Sequence, residues 1–426
     1  MKKKNNHRFV WQEDRTLKYV SLTILCSLIL TLILFTPINS RYQAAAQDDP
    51  DQVIEGAVAT KGIWISRAEI MRLPTSGAAW SNMLSAANGS AGTPDLSDQD
   101  DSTNVIVLAK ALVFVRTNDS QYRSDVVNAL RVITNNNTEN GGRTLALGRE
   151  LAAYVIAADL IDLASFDPSL DSSFRAKLRE LLTKTLSGDT LQETHENRPN
   201  NWGTHAGASR AAVAAYLGDQ AELDRTATVF EGWLGNRSAY AGFSYGDLSW
   251  QCDSSNPVGV NPAGCTKSGH SIDGALPDDM RRGGSFKFPP SSTGYPWEAL
   301  QGAIVEAEIL HRAGYPAWDW EDKALLRAVE FLYSIGWQPD GDDRWQVWLI
   351  NYAYGTNFSA SAGVSPGKNI GWTDWSHSDA PVAVSLLSVD GGLDPVPVII
   401  TIVVSLGLTA TALLLFFSIK RKRQRS

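Results

Sequence analysis

Helical stretches that are apolar all round alternate along this chain with stretches that are apolar on one face only, and this alternation limits the fold more than any other feature. Residues 105–115 and 145–163 are apolar on nearly every side and predict inner helices. Residues 124–133, 172–186 and 223–234 are amphipathic and predict outer helices with one wet face. Residues 204–217 are rich in alanine, and residues 76–87, 297–312 and 322–335 add further helical patterns, with a last short one at 379–387. Period-two runs bounded by hairpin turns are almost absent. The expected class is therefore all-α, an α/α toroid or incomplete barrel. No repeat of fixed period points to a solenoid. The long stretch 236–296, rich in aromatic and charged residues, interrupts the pattern and predicts a site-building loop.

The two ends differ from the middle. Residues 19–37 and 396–419 carry no charge, and about 20 apolar residues suffice for a helix to cross a bilayer. Lys2, Lys3, Lys4, Arg8, Arg15 and Lys18 precede the first stretch, and Lys420, Arg421, Lys422, Arg423 and Arg425 follow the second. By the positive-inside rule this predicts two transmembrane helices with cytoplasmic tails, and so a cell-membrane protein whose globular domain is extracytoplasmic. For the first stretch a cleaved signal peptide ending near Gln43-Ala44-Ala45-Ala46 stands as an alternative. The expected division is 1–46 for tail and anchor or signal, 47–394 for the folded domain, and 395–426 for the second helix and tail.

A hydrophobic content of 43% is enough for a buried core. The net charge of −8 combines basic tails with an acidic middle, and that middle argues against a nucleic-acid partner. Cys252 and Cys265 share one loop rich in Gly, Pro, Ser and Asn, and in an oxidising compartment they are expected to pair. Cys26 falls in the first apolar stretch. No Cys/His cluster has zinc spacing, so neither a metal nor a cofactor is expected.

Two segments concentrate polar groups. In the first, His195 to His205, Asn200 or Asn201 is a natural N-cap for the helix that follows. Asn201 and His205 then share a face, and the helix start favours an anion. The same residues could equally be a plain cap with a satisfied histidine. The second segment holds Asp279, Arg281 and Arg282 in a Gly-rich loop, followed by Tyr295-Pro296-Trp297-Glu298 at a helix start. The guanidinium fork suits carboxylates, although a solvated arginine pair would look the same in sequence.

Taken together, these segments resemble the alginate lyase family of polysaccharide lyases. Asn200-Asn201-Trp202-Gly203-Thr204 is similar to the family's Asn-Asn-His-Gly-Thr, and Asp279-Met280-Arg281-Arg282-Gly283 is similar to its Glu-(Leu/Met)-x-Arg segment. Trp64-Ile65-Ser66 with Leu73-Pro74 resembles its N-terminal region, and Gln301 to Tyr315 its helix and Gly-Tyr turn. Tyr295 stands where the family has its catalytic tyrosine. Trp202 replaces the motif histidine, with His205 one helical turn away, and the Arg282–Tyr295 gap is longer than the family's.

The resemblance implies an α/α toroid and β-elimination on an acidic, uronate-containing polysaccharide. It implies catalytic roles for Tyr295, Asn201, His205 and Arg282. Trp202, Asn200, Arg281, Asp279 and Trp297 are the expected substrate-binding residues, and Trp250 and Trp372 are further candidates for sugar stacking. Two other classes stay open. An inverting glycoside hydrolase would draw its carboxylate pair from Asp247, Asp279, Glu298 and Asp374. An inactive cell-surface glycan-binding protein would fit the loss of the motif histidine.

Overall fold

A computed structural model describes residues 62–378. The principal helices are α1 (Ala78–Asn88), α2 (Thr103–Thr117), α3 (Ser120–Asn135), α4 (Thr144–Leu160), α5 (Pro168–Thr183), α6 (Asn201–Leu217), α7 (Gln220–Leu234), α8 (Tyr295–Arg312), α9 (Trp320–Ser334) and α10 (Trp345–Tyr354). The only strands among the described residues are Thr266–Lys267 and His270–Ser271, which pair antiparallel.

Helices α2, α4, α6 and α8 lie side by side in one buried row, each packed on the next. The amphipathic helices form a second layer, with α3 on α2, α5 on α3, α7 on α6 and α9 on α7. The one-faced helices therefore cover the row of all-round apolar ones, as their patterns require. Many helix starts are fixed by side chains. Asp119, Asp167, Asn200 and Asp219 each accept a backbone N–H from the first turn of the helix they precede.

Helix α6 is clasped closely from both sides. A Cβ on Gly148 of α4 would come within 2.9 Å of His205 C and Ala206 N, and one on Gly302 of α8 within 2.3 Å of Thr204 C. Only glycine lets three backbones approach this closely.

Two expectations are corrected here. The helices make a mostly helical two-layered domain, not a closed α/α barrel or toroid. After α7 the inner–outer alternation gives way to about 60 irregular residues, and the four inner helices form a row rather than a ring. The transmembrane expectation is also not met among the described residues. No helix among the described residues is long and apolar enough to cross a membrane. The candidate spans 19–37 and 396–419, like the helix expected at 379–387, lie outside the described residues. Even the most apolar helices carry charge, with Lys110 in α2 and Arg149 and Glu150 in α4, which suits a protein core rather than lipid. Among the described residues nothing supports a membrane partner or an extracytoplasmic, membrane-anchored placement.

The stretch between α7 and α8 is irregular but ordered by specific bonds. Cys252 and Cys265 are joined by a disulfide, with Cα atoms 5.9 Å apart. Buried Asn261 accepts the Cys252 N–H at 3.1 Å and donates to the carbonyls of Trp250 and Ile272 at 3.0 and 3.2 Å. Arg327 of α9 reaches Asn261 O at 2.7 Å and Asp273 at 2.6 Å. This scaffold carries the turn Pro277–Met280 and the tighter turn Arg281–Gly283 to the mouth of the α6–α8 seam.

Candidate functional site

A cleft of about 410 Å³ opens over the starts of α6 and α8. Asn201 and Trp202 line it from α6, and Gly294, Tyr295 and Glu298 line it from α8. Arg143 and Arg149 come from the start of α4, Arg282 from the irregular stretch, Gln99 from the loop before α2, and Lys368 from the segment after α10.

The N-cap of α6 is Asn200, whose Oδ1 accepts the Trp202 N–H at 3.2 Å, while its Nδ2 donates to Asp278 at 3.0 Å. Asn201 opens the helix, its N–H bonded to Asp279 Oδ1 at 3.2 Å. Its own Oδ1 is buried and has no hydrogen-bond partner among the described residues. Burial, reinforced by the neighbouring Asp278 charge, pushes the Asp279 carboxyl well above the usual carboxylate range. Asp279 therefore lies beneath Asn201 as a support.

Arg282 and Tyr295 meet at the cleft. The Arg282 guanidinium carbon lies 3.9 Å from the centroid of the Tyr295 ring, within cation–π range. Arg281 turns the other way and grips Asp278 with two bonds, at 2.7 and 3.0 Å.

Glu298 is the electrostatic hub. Its carboxylate receives Arg149 at 2.5 Å and Lys368 at 2.9 Å, and His205 Nε2 lies 3.9 Å away, beyond hydrogen-bond reach. Burial alone would raise this carboxyl, but the Arg149 and Lys368 charges bonded to it hold it well below its ordinary value. Lys368 is fixed in turn, because its N–H bonds Gln301 and its carbonyl accepts Asn104. His205 is fully buried, and neither ring nitrogen has a hydrogen-bond partner among the described residues. Burial, with the Arg149 charge adding to it, brings the imidazole down to about 4 despite the pull of Glu298.

Of the nine residues that sequence reasoning assigned to catalysis or substrate binding, Asn201, Trp202, Arg282 and Tyr295 line the cleft. His205 lies buried near Glu298. Asn200, Asp279 and Arg281 form the supporting bonds just described. Trp297 is core, its indole N–H donating to Trp337 O at 3.1 Å. Trp250 and Trp372 are also buried, bonded to Gly284 O and Val105 O. Sequence reasoning missed Gln99, Arg143, Arg149 and Lys368 as lining residues. Arg149 and Glu298 inside otherwise apolar helix starts were the available signal, whereas nothing near Lys368 in sequence distinguishes it. Of the four carboxylates available to a hydrolase, only Glu298 lines the cleft. Asp374 is buried and accepts the N–H of Gly363 and Val364, and exposed Asp247 bonds Ser249 and Ser285. No group of three or more His, Cys, Asp or Glu suited to a metal occurs among the described residues.

Comparison with curated proteins and with solved structures finds no match. A family model does match, over less than half of the chain. The matched region runs from the loop before α2 through α7 and takes in Arg143, Arg149, Asn201, Trp202 and His205. Tyr295, Glu298, Arg282 and Lys368 lie beyond it. Residues 90–243 of this chain thus match the family described as alginate lyase.

Proposed function

We propose that this protein is a polysaccharide lyase that cleaves a uronate-containing polysaccharide by β-elimination. The observation that carries the reading is the meeting of Arg282 and Tyr295, 3.9 Å apart, in a cleft that Asn201 also lines. The match of residues 90–243 to the alginate lyase family supports the same class of reaction.

The chemistry needs two things of the site. A uronate's C5 hydrogen is weakly acidic while its carboxylate keeps its full charge, so the charge that grows on the carboxylate during proton loss has to be stabilised. In this reading Arg282 and the Asn201 amide supply that stabilisation. A base then takes the C5 proton. The released pair forms the C4=C5 double bond, the C4–O4 bond breaks, and O4 leaves with a proton. Tyr295 is the group in the cleft that can accept the first proton and return one to O4.

His205 takes a different part from the one the resemblance implies. Burial keeps it neutral at ordinary pH, so it supplies no positive charge. Its place in this reading is beneath Glu298. Glu298, held ionised by Arg149 and Lys368, is a hydrogen-bond acceptor for sugar hydroxyls rather than a general acid. An inverting hydrolase needs a second carboxylate facing the first across the substrate, and Glu298 is the only carboxylate among the lining residues.

The test is a screen of the purified chain against uronate-containing and neutral polysaccharides, recording both unsaturated-uronate absorbance and new reducing ends. Absorbance that rises in step with reducing ends on a uronate polymer is the expected result. Reducing ends released from a neutral glycan without absorbance would replace this reading with hydrolysis.

A further inference from the structure

The cleft holds four cationic side chains, and their pairing divides them into two kinds. Arg149 and Lys368 are bound to the Glu298 carboxylate. Arg143 and Arg282 have no carboxylate within ion-pair distance among the described residues. Arg143 bonds only the neutral amide of Gln99, at 3.1 Å, and Arg282 lies over the Tyr295 ring. In a chain with net charge −8, two guanidiniums left without anions in one cleft stand out.

The surroundings of Arg143 show why it keeps its place. Its guanidinium carbon is 5.3 Å from the centroid of the Trp202 indole. Arg198 approaches the same ring at 5.4 Å, but it is tied to Asp189 at 3.2 Å. Trp202, in the first turn of α6, therefore holds an exposed arginine in position by cation–π attraction. Its ring is engaged with both guanidiniums. A guanidinium held this way loses less freedom when it binds, and its planar fork matches a carboxylate.

We propose that Arg143, seated on Trp202, is the carboxylate-binding residue of a second subsite beside the reaction centre, so that this cleft selects chains carrying charge on neighbouring sugars. The subsite rests on the cleft being a uronate site, as proposed above. Arg282 takes the carboxylate of the reacting sugar, and Arg143 takes that of an adjoining one. Arg143 is thus a specificity-determining residue. A chain in which uronates alternate with neutral amino sugars satisfies Arg282 and leaves Arg143 unpaired.

The experiment measures calorimetric binding of two hexasaccharides to the full-length Tyr295→Phe chain, so that turnover does not interfere. One is a mannuronate hexamer. The other is an alternating glucuronate–N-acetylglucosamine hexamer. The expected result is that the mannuronate hexamer binds about tenfold or more tightly, the usual worth of a charge-assisted bond pair. Arg143→Gln in the same background removes that preference, while Arg143→Lys keeps part of it. Equal affinity for the two hexamers, or a preference unchanged in Arg143→Gln, overturns the subsite. Steady-state elimination by the unmutated chain separates the two ideas. Selective binding with no elimination on any uronate would leave the subsite and remove the lyase reading. Elimination with no such selectivity would do the reverse.

Discussion

Arg281 and Arg282 are adjacent in sequence and point to opposite tasks. Arg281 clamps Asp278, the acceptor of the Asn200 amide, whereas Arg282 lies over Tyr295 in the cleft. Alanine at the two positions should separate them. Arg281→Ala breaks a bidentate pair whose acid is buried, and should lower the melting temperature while α6 loses part of its cap support. Arg282→Ala should lower kcat/KM on a uronate polymer and leave melting nearly unchanged. Equal effects of both substitutions on both measurements would contradict the division.

Tyr295→Phe keeps the ring under the Arg282 guanidinium and removes the only atom proposed to move a proton. Turnover should fall by roughly 10²–10⁴-fold, the range for general acid–base catalysis. Substrate affinity and melting temperature should hardly change. Full elimination activity in this variant would remove Tyr295 from the reaction.

Glu298→Gln tests the hub. Arg149, almost wholly buried, would lose its charged partner at 2.5 Å, and Lys368 one of its anions. A loss of about 1–3 kcal/mol is expected from chemical denaturation, because an unsatisfied buried charge-bearing donor costs that much. Unchanged stability would mean that water replaces the carboxylate and that the cleft floor is wetter than its burial suggests.

His205 gives a pH signature. Its folded-state pKa of about 4 lies below the ordinary value of 6.5, so the unfolded chain binds a proton that the folded chain refuses. Its contribution to stability is present above pH 6.5 and is lost as pH falls towards 4, with a slope of about 1.4 kcal/mol per pH unit in that window. Other groups titrate here too, so the measurement is a difference. The stability gap between the unmutated chain and His205→Gln should narrow by one proton's slope between pH 6.5 and 4. A gap that does not change with pH would mean the ring is charged in the fold.

The disulfide offers a test of the irregular stretch. Cys252→Ala with Cys265→Ala opens a short loop closure, worth about 2–4 kcal/mol. Because Asn261 and Arg327 also hold this stretch, the loss should be local. Hydrogen exchange should speed up at Cys252 and Ile272, whose N–H groups are bonded within it, and not in α4 or α6. Exchange that accelerates throughout the core would show that the stretch unfolds together with the rest.

The sequence showed the inner helices α2 and α4 clearly, because a run that is apolar on every side has few places to go except a core. It also showed the polar helix start at Asn200–Asn201 and the Tyr295 turn, since caps and Pro at the first helical turn are local signals. It did not show α10. Trp345–Tyr354 is a ten-residue run rich in aromatic and branched side chains, which helix and strand fit equally well. Nor did it show the row of helices, because a ring and a row use the same alternation and differ only in how many inner helices stand side by side. The partition of the arginines was also hidden. Arg143 and Arg149 at the start of α4 and Lys368 more than 200 residues later acquire a meaning only through Glu298 and Trp202.

The close clasp of α6 has a mechanical consequence. Where Gly148 and Gly302 approach Thr204–Ala206, backbone packs directly on backbone, and such contact resists sliding or rolling of either neighbouring helix. Asn201 and Trp202 on one side of that joint, and Tyr295 and Glu298 on the other, therefore keep a fixed spacing. Any widening of the cleft to admit a polymer has to occur at its rims, in the turn bearing Arg282 and the segment bearing Lys368. In the proposed reading the floor would work as a template of set dimensions against which a sugar chain is measured, and the rims would decide how easily that chain gets in.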